Sequence, residues 1–509
     1  MLGKVYTASL IGVEAKLVEV ETHISGGLPV LNIVGLPDPA VKESKVRVKS
    51  ALTNSGYQWP GQEKAMINLS PADLRKEGGG YDLPIALSIL AARKIIRNDR
   101  LDEFLFAGEL GLDGALKSWP GALIFALLAK QKGLAGVVIP AVNAREASVV
   151  EGIKIYPAGH LSQVVEFLNG ELELRPVISS AQELLQKGAE SDLDLSEVRG
   201  QESAKRALEV AAAGGHNLLM IGPPGSGKTM LTQRLPGILP ALSMNEALET
   251  TRVYSIMGLL SEDMPLITRR PFRGPHHTIS DAGLVGGGIY PHPGEISLAH
   301  NGVLFLDELP EFKKNVLEAL RQPMESGTVT ISRAQGSITF PARFMMVAAM
   351  NPCPCGYLGD SLHVCKCTPH QIRNYRSRIS GPLLDRIDLQ IEVPAVRYRE
   401  LSGEAGGRKS QELRNRVDQA RSLQKERFKK SRIYSNSQMS SRQVQKFCAI
   451  DEQGHRMLEH AVDIMGISAR GWSRILKVAR TIADLEKFAD IHSRHVSEAL
   501  SYRVLDRRQ

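Results

Sequence analysis

Apolar positions along this 509-residue chain follow two periods, and the places where the period changes divide it into blocks. In residues 1–175, short β-rich runs (Gly12–Ile24, Pro29–Val34, Lys64–Leu69, Gly136–Ile139, Ile153–Pro157) alternate with runs of helical spacing (Ala40–Asn54, Leu83–Ala92, Gly121–Lys132). This mixture predicts an α/β domain. Residues 176–197, with Pro176, Ser179-Ser180 and an acidic run from Glu190 to Glu197, read as a polar linker. A second α/β block spans 198–394, and 395–509 has helical periodicity with few strand signals. No internal repeat or long low-complexity tract interrupts these blocks.

Composition narrows the class. With 43% hydrophobic and 23% charged residues, the chain has ordinary globular content. Apolar runs such as Gly302–Leu306 and Phe344–Met350 fall far short of the ~20 residues that cross a bilayer, so no membrane partner is expected. The start, Met1-Leu2-Gly3-Lys4-Val5-Tyr6, is not that of a signal peptide. Five cysteines, four of them between Cys353 and Cys367, make no disulfide framework and fit a reducing, cytoplasmic compartment. The net charge of +8 is unevenly placed: residues 371–509 carry 28 Lys and Arg against 17 Asp and Glu, and residues 1–370 carry 35 against 38. A basic surface confined to the C-terminal quarter suggests a polyanion such as nucleic acid, although a merely solvated basic helix face has the same composition.

The second block carries the chemistry. Gly222-Pro223-Pro224-Gly225-Ser226-Gly227-Lys228-Thr229 matches G-x-x-x-x-G-K-[ST], between a strand-like Asn217–Ile221 and a helix-like Met230–Leu235. In such a loop, glycines let backbone N–H groups wrap phosphates, the lysine reaches the β- and γ-phosphates, and the threonine holds Mg²⁺. Val303-Leu304-Phe305-Leu306-Asp307-Glu308 is an apolar strand ending in two carboxylates, which are costly to place there without a task. Asp307 is the expected Mg²⁺ ligand and Glu308 the group that polarises the attacking water. A third apolar run, Phe344–Met350, ends in Asn351, which is suited to orienting that water. The three runs together predict an ATP hydrolase.

Immediately after Asn351, Cys353-Pro354-Cys355 and Cys365-Lys366-Cys367 form C-x-C-x₉-C-x-C, with His363 and His370 close by. Four thiolates suit a tetrahedral structural Zn²⁺, but C-x-C is less diagnostic than C-x-x-C, and free thiols or a redox pair also fit. No His/Glu pattern for a catalytic zinc accompanies the cluster.

The order of these motifs, followed by Leu383-Leu384-Asp385-Arg386-Ile387-Asp388, resembles the AAA+ ATPases and, more narrowly, their magnesium-chelatase branch. The resemblance implies a P-loop core with a helical lid (395–509). It makes Arg386 an arginine finger reaching the neighbouring subunit's ATP, and Arg470 of Ser468-Ala469-Arg470 a sensor for the γ-phosphate, with Arg474 as the competing candidate. A finger supplied in trans implies a ring, usually a hexamer. In the first block, residues 75–90 and 108–124 resemble the proteolytic domain of Lon proteases, which has a ribosomal S5 domain 2-like fold. Ile85 and Ile124 stand where that family has its serine and lysine, so Ser-Lys peptidase chemistry is not available. Ser88 and Lys117 are displaced from those positions. The whole arrangement is similar to the bacterial ComM/YifB family, and this implies a hexameric helicase or branch-migration motor acting on DNA recombined during natural transformation.

Inserts in related AAA+ helicases project into the central pore. Here the candidates are Arg269–Thr278, the glycine-rich Gly283–Gly288, and a β-hairpin of Thr328–Arg333 and Ser337–Phe340 about Ala334-Gln335-Gly336. Arg333, Arg273 and His276 are candidate phosphate contacts, or else parts of a subunit interface. Arg421, Lys425, Arg427, Lys429, Lys430 and Arg432 add cations opposed only by Glu426. No base-reading motif is visible, so single-stranded or branched DNA would be bound through its backbone or shape. Two rival readings remain, the motor subunit of a metal chelatase and a protein-remodelling ATPase.

Overall fold

In the first strands, Leu2–Ile11 (β1) and Glu14–Gly26 (β2), buried positions such as Val5, Val18, Val20 and Ile24 alternate with exposed ones, the period-2 mark of a half-buried sheet. A computed structural model describes residues 2–27, 30–61, 63–188, 193–288, 290–333, 336–360, 363–395, 408–431, 433–503 and 505. The chain divides into two compact units, Met1–Gly188 with Ser243–Thr268, and Ala189–Leu242 with Arg269–Gln509.

The first unit adds Leu31–Val34 (β3), Glu63–Ser70 (β4), Phe104–Phe106 (β5), a short ribbon of Glu109–Leu110 (β6) and Leu116–Lys117 (β7), Gly136–Pro140 (β8) and Lys154–Ala158 (β9). Its seven-stranded sheet runs β3-β4-β2-β1-β5-β8-β9. The pairs β1–β2 and β2–β4 are antiparallel and the others parallel. The helix Asp82–Ala92 is buried at every position. Its fully buried Asp82 receives Arg47 Nε at 2.6 Å and Nη2 at 3.0 Å. Ile85 is fully buried and Ile124 is 3% exposed, so both fill core. Ser88 is bonded to Thr22 Oγ1 at 2.6 Å and donates to Ile85 O, while Lys117 is exposed. These contacts are structural.

Residues 243–268, which the sequence pattern leaves inside the nucleotide-binding block, pack with the first unit. The helix Met244–Ile256 starts on a Ser243–Glu246 capping box and buries Ala247, Val253, Tyr254 and Ser255. Ser255 Oγ donates to Glu146 Oε1. Burial pushes the Glu146 carboxyl up, with Ser255 and the Leu123 N–H pulling the other way. The capping box is readable in the sequence; its buried partner across the fold is not.

In the second unit, Leu218–Ile221 (β10), Phe272–Arg273 (β11), Gly286–Gly287 (β12), His292–Pro293 (β13), Val303–Leu306 (β14), Thr328–Arg333 (β15), Gly336–Pro341 (β16), Met345–Met350 (β17) and Leu389–Glu392 (β18) are the strands. Five form a sheet in the order β11-β14-β17-β10-β18, every neighbour parallel. Their unbroken apolar runs are what strands covered on both faces require. The expected insert Arg269–Thr278 is thus partly an edge strand. The C-terminal helices Ser410–Arg427, Ser441–Phe447, Glu452–Met465, Ala469–Leu485 and Ser493–Ser501 share one apolar cluster with the sheet, Leu413, Ile475 and Val496 joining Leu218 and Val347. No helix among the described residues is long and apolar enough to cross a membrane.

A buried polar chain ties these helices to the sheet. Asp388 is ion-paired with Arg474 and takes His216 Nδ1 at 3.1 Å, while His216 Nε2 meets Thr481 Oγ1 at 2.8 Å. Burial alone would raise the Asp388 carboxyl, but Arg474 and His216 hold it well below the usual range. Asp388→Ala strands a guanidinium and should cost about 3–5 kcal/mol, read as a lower urea midpoint for the second unit with the first unmoved. Folded Asp388 stays ionised where an unfolded aspartate protonates near pH ~3.9. Its contribution is therefore complete above that pH, and the gap between wild type and variant should narrow as pH falls through it.

Candidate active site

Strand β10 delivers Gly222–Thr229 to the carboxyl edge of the parallel sheet, where ligands bind in open α/β folds. Gly225 (φ +74°) and Gly227 (φ +88°) take left-handed conformations that turn the loop into the helix Lys228–Gln233. A side chain at Gly222 would stand 2.1 Å from Val393 O. Lys228 folds back, its Nζ donating to Gly222 O at 2.7 Å and Pro223 O at 2.9 Å. Burial lowers its pKa, with Asp307 opposing. Ser226 is buried beneath the loop.

Strand β14 ends one residue before Asp307, whose Oδ2 accepts the Thr229 hydroxyl at 2.8 Å across 78 residues of sequence. A hydroxyl and a carboxylate converging beside a phosphate-type loop are the hard oxygen donors Mg²⁺ takes alongside nucleotide phosphates, so the residues present fit Mg²⁺ and ATP. Asp307 Oδ1 accepts the Glu308 N–H at 2.9 Å. Glu308 itself is left-handed (φ +52°), a conformation that costs a non-glycine residue about 1–3 kcal/mol and gathers at functional sites. Its Oε2 lies 3.2 Å from His277 Nδ1. The His277 ring packs on His276 (centroids 4.1 Å apart) and edge-on to Phe312. Sequence reasoning did not single out His277, because only the pairing of β11 with β14 carries it to Glu308.

Strand β17 lies between β14 and β10. Met350 O accepts the Gly222 N–H at 3.2 Å, so Asn351 leaves the sheet beside the phosphate loop. The four cysteines that follow are close enough together to hold one metal ion, their sulfurs lying within 4.8 Å of one another. Backbone N–H groups of Tyr357 and Lys366 pull the Cys355 thiol down to about 6. His363 faces Tyr357 and Asp360, and His370 lies beside Asn374; neither joins the sulfurs.

The expected arginines are placed differently. Arg386 is buried, paired with Glu325 and donating to Pro382 O at 2.5 Å, and none of its bonds goes to Lys228, Thr229, Asp307 or Glu308 of its own chain. Arg470 is exposed in the first turn of Ala469–Leu485. Arg474, its competitor, is held by Asp388. Of the candidate DNA contacts, Arg273 is bound in a bidentate pair with Glu295 at 2.6 and 2.7 Å. His276 is exposed and bonded to Thr278. Arg333 is exposed, its Nε donating to Gly288 O at 3.4 Å; hairpin residues 334 and 335 lie outside the described residues. In the basic segment Arg427 turns inward to Asp484 and Arg421 bonds Ala212 O and Tyr434 O. Lys425, Lys429 and Lys430 are exposed, Lys429 lying 3.5 Å from Glu426. Arg432 lies outside the described residues.

A parallel sheet whose carboxyl edge gathers a phosphate loop, an acidic strand end and an asparagine, with helices packed behind it, defines an AAA+ ATPase. Residues 20–143 match the family described as subunit ChlI of Mg-chelatase, 194–401 match magnesium chelatase, subunit ChlI, and 407–503 match its C-terminal part. The chain is 47% identical over 508 residues to YifB of Salmonella typhimurium, 46% over 509 to YifB of Escherichia coli, and 46% over 514 to competence protein ComM of Haemophilus influenzae. Each alignment covers 99% of this chain and 98% of the relative. The chain belongs to the ComM/YifB family.

Binding and turnover should separate at this edge. Lys228→Ala is expected to weaken ATP binding by about 1.5–3 kcal/mol, a hydrogen bond to a charged group. Glu308→Gln should keep ATP affinity, measured with a fluorescent analogue, while slowing turnover by about 10²–10⁴-fold.

Proposed function

We propose that this protein is the subunit of a ring-forming, ATP-driven motor that moves single-stranded or branched DNA, with helicase or branch-migration activity, in recombination during natural transformation. The observation that carries this reading is the near full-length likeness to a competence protein in a chain whose sheet edge brings together a phosphate-type loop, the Thr229–Asp307 contact and Glu308. Lys228 leaves the carbonyls of Gly222 and Pro223 for the β- and γ-phosphates, and Gly222–Gly227 wrap them. Thr229 and Asp307 hold Mg²⁺, which supplies Lewis-acid charge neutralisation when bound. Glu308 accepts the proton of the attacking water, and Asn351 orients that water.

Arg386 meets the γ-phosphate of the neighbouring copy after exchanging Glu325 for it, and Arg470 contacts a γ-phosphate from the lid. A cation engaged only between subunits makes hydrolysis a property of the assembled ring, read here as a hexamer. Arg333, Lys429 and Lys430 are the exposed cations that would neutralise DNA phosphates. His276 remains a weaker candidate, and Arg273, already matched by Glu295, serves the fold. The four cysteines hold one structural Zn²⁺.

The test is ATP turnover and assembly size against single-stranded, duplex and four-way-junction DNA at several salt concentrations. Single-stranded or branched DNA should stimulate turnover in a hexamer-sized particle. Arg333→Ala combined with Lys429→Ala and Lys430→Ala should weaken DNA binding and flatten its salt dependence by about one unit of slope per lost phosphate contact, with ATP affinity unchanged. A monomer that turns over ATP at full rate, indifferent to DNA, would overturn the reading.

A further inference from the structure

The segment 353–376 leaves the catalytic edge and closes back on it. Cys353 and Cys355 follow the end of β17, and Cys365 and Cys367 return to them. The sulfurs of 353 and 355 are 3.4 Å apart, those of 353 and 365 are 3.7 Å apart, and those of 355 and 365 are 3.6 Å apart. A tetrahedral Zn²⁺ with Zn–S bonds of ~2.3 Å spaces its sulfurs about 3.8 Å apart, so the set fits a single ion. Cys353 is fully buried. Among the described residues these four form the only group of His, Cys, Asp or Glu gathered closely enough to hold a metal.

Residues flanking the sulfurs reach both the phosphate loop and the end of β17. Thr368, next after Cys367, caps the helix Pro369–Arg376 through a capping box with Gln371. The far end of that helix comes back to the residues that follow β17. Arg376 donates to Pro352 O from Nε at 3.3 Å and Nη2 at 3.2 Å, and the buried Tyr375 hydroxyl is hydrogen-bonded to the Asn351 backbone. On the other side Gly356, one residue past Cys355, bonds back to Cys353 O at 3.0 Å and sits at φ +87°. A Cβ there would stand 2.7 Å from Pro224 Cδ and 2.9 Å from its Cγ, so the knuckle lies directly on the phosphate loop. Residues 375 and 376 therefore touch Asn351 and Pro352, and Gly356 touches Pro224.

We propose that one Zn²⁺ on Cys353, Cys355, Cys365 and Cys367 is a clasp that sets the phosphate loop and Asn351 relative to each other, so that loss of the ion slackens nucleotide binding. This rests on reading the edge as an ATP site. The ion acts at a distance through Gly356 and the helix 369–376. The cysteines are positioning residues, their sulfurs bonding one another and the Cys367 backbone. Four thiols without a metal supply no bond across the loop, and four thiolates repel one another.

The full-length protein, purified without added metal, should contain one zinc per chain by elemental analysis, and no iron. Titration with a mercurial in the presence of a zinc indicator should release that zinc while fluorescent-ATP affinity falls about tenfold or more, the size of loss seen when groups supporting a site are removed. Gly356→Ala, which leaves all four sulfurs in place but presses on Pro224, should keep its zinc and lose affinity comparably. Cys448→Ser, a buried cysteine outside the cluster, should keep both. Protein lacking zinc, or carrying iron in its place, overturns the metal. Zinc-free protein and Gly356→Ala that both bind ATP like wild type overturn the clasp. No ATP binding by the zinc-loaded wild type would instead sink the ATP reading, leaving the metal result standing.

Discussion

The parallel pairing of three short strands governs the chemistry of the second unit. Ile221 lies opposite Met350 and Leu306 opposite Ala348, so the residues that follow β10, β14 and β17 emerge side by side. The pairing has little freedom. Every position of the three strands is buried, and sliding β14 by one residue would draw the Asp307 carboxylate into an apolar layer. The apolar strands therefore act as a ruler, and the Thr229–Asp307 contact is its direct product. Glu308 sits at the end of that ruler in a left-handed conformation, anchored through its N–H by Asp307 and through its carboxylate by His277.

A second constraint links the segments that carry Arg386 and Arg470. Arg386 lies two residues before Asp388, and Arg470 one turn before Arg474, and Asp388 and Arg474 form a buried ion pair. The helix Ala469–Leu485 and the segment that carries Arg386 are therefore joined by one buried contact. The pair continues through His216, Thr481, Asn436 and Asp484 to Arg427 and Arg480. Several cations of a segment rich in positive charge are thereby used internally. A count of lysines and arginines overstates the surface available to a polyanion, because Arg421 and Arg427 belong to the fold and only their neighbours face water.

In the first unit, apolar side chains fill the positions at which peptidase chemistry was looked for. Ile85 and Ile124 are core residues, and Asp82 at the head of the same helix spends its charge on Arg47. The unit also captures residues 243–268, taken from between the two nucleotide motifs, by burying one face of their helix.

Local physics was legible in the chain itself. Helices at 39–54, 82–92 and 122–132 and strands at 63–70, 136–140 and 345–350 fall within a residue or two of where periodicity puts them, because each depends on propensity and on one apolar face. The phosphate loop, the acidic strand end, Asn351 and the four cysteines were equally visible, since their chemistry needs particular residue types at short spacings. What joins distant segments was not. That Glu308 meets His277, that Gly356 presses on Pro224, that Arg273 pairs with Glu295 and that Asp388 holds Arg474 all depend on which strands and helices pack together. Packing is decided by the summed burial of many side chains, a property of the assembled unit that no short window of sequence contains.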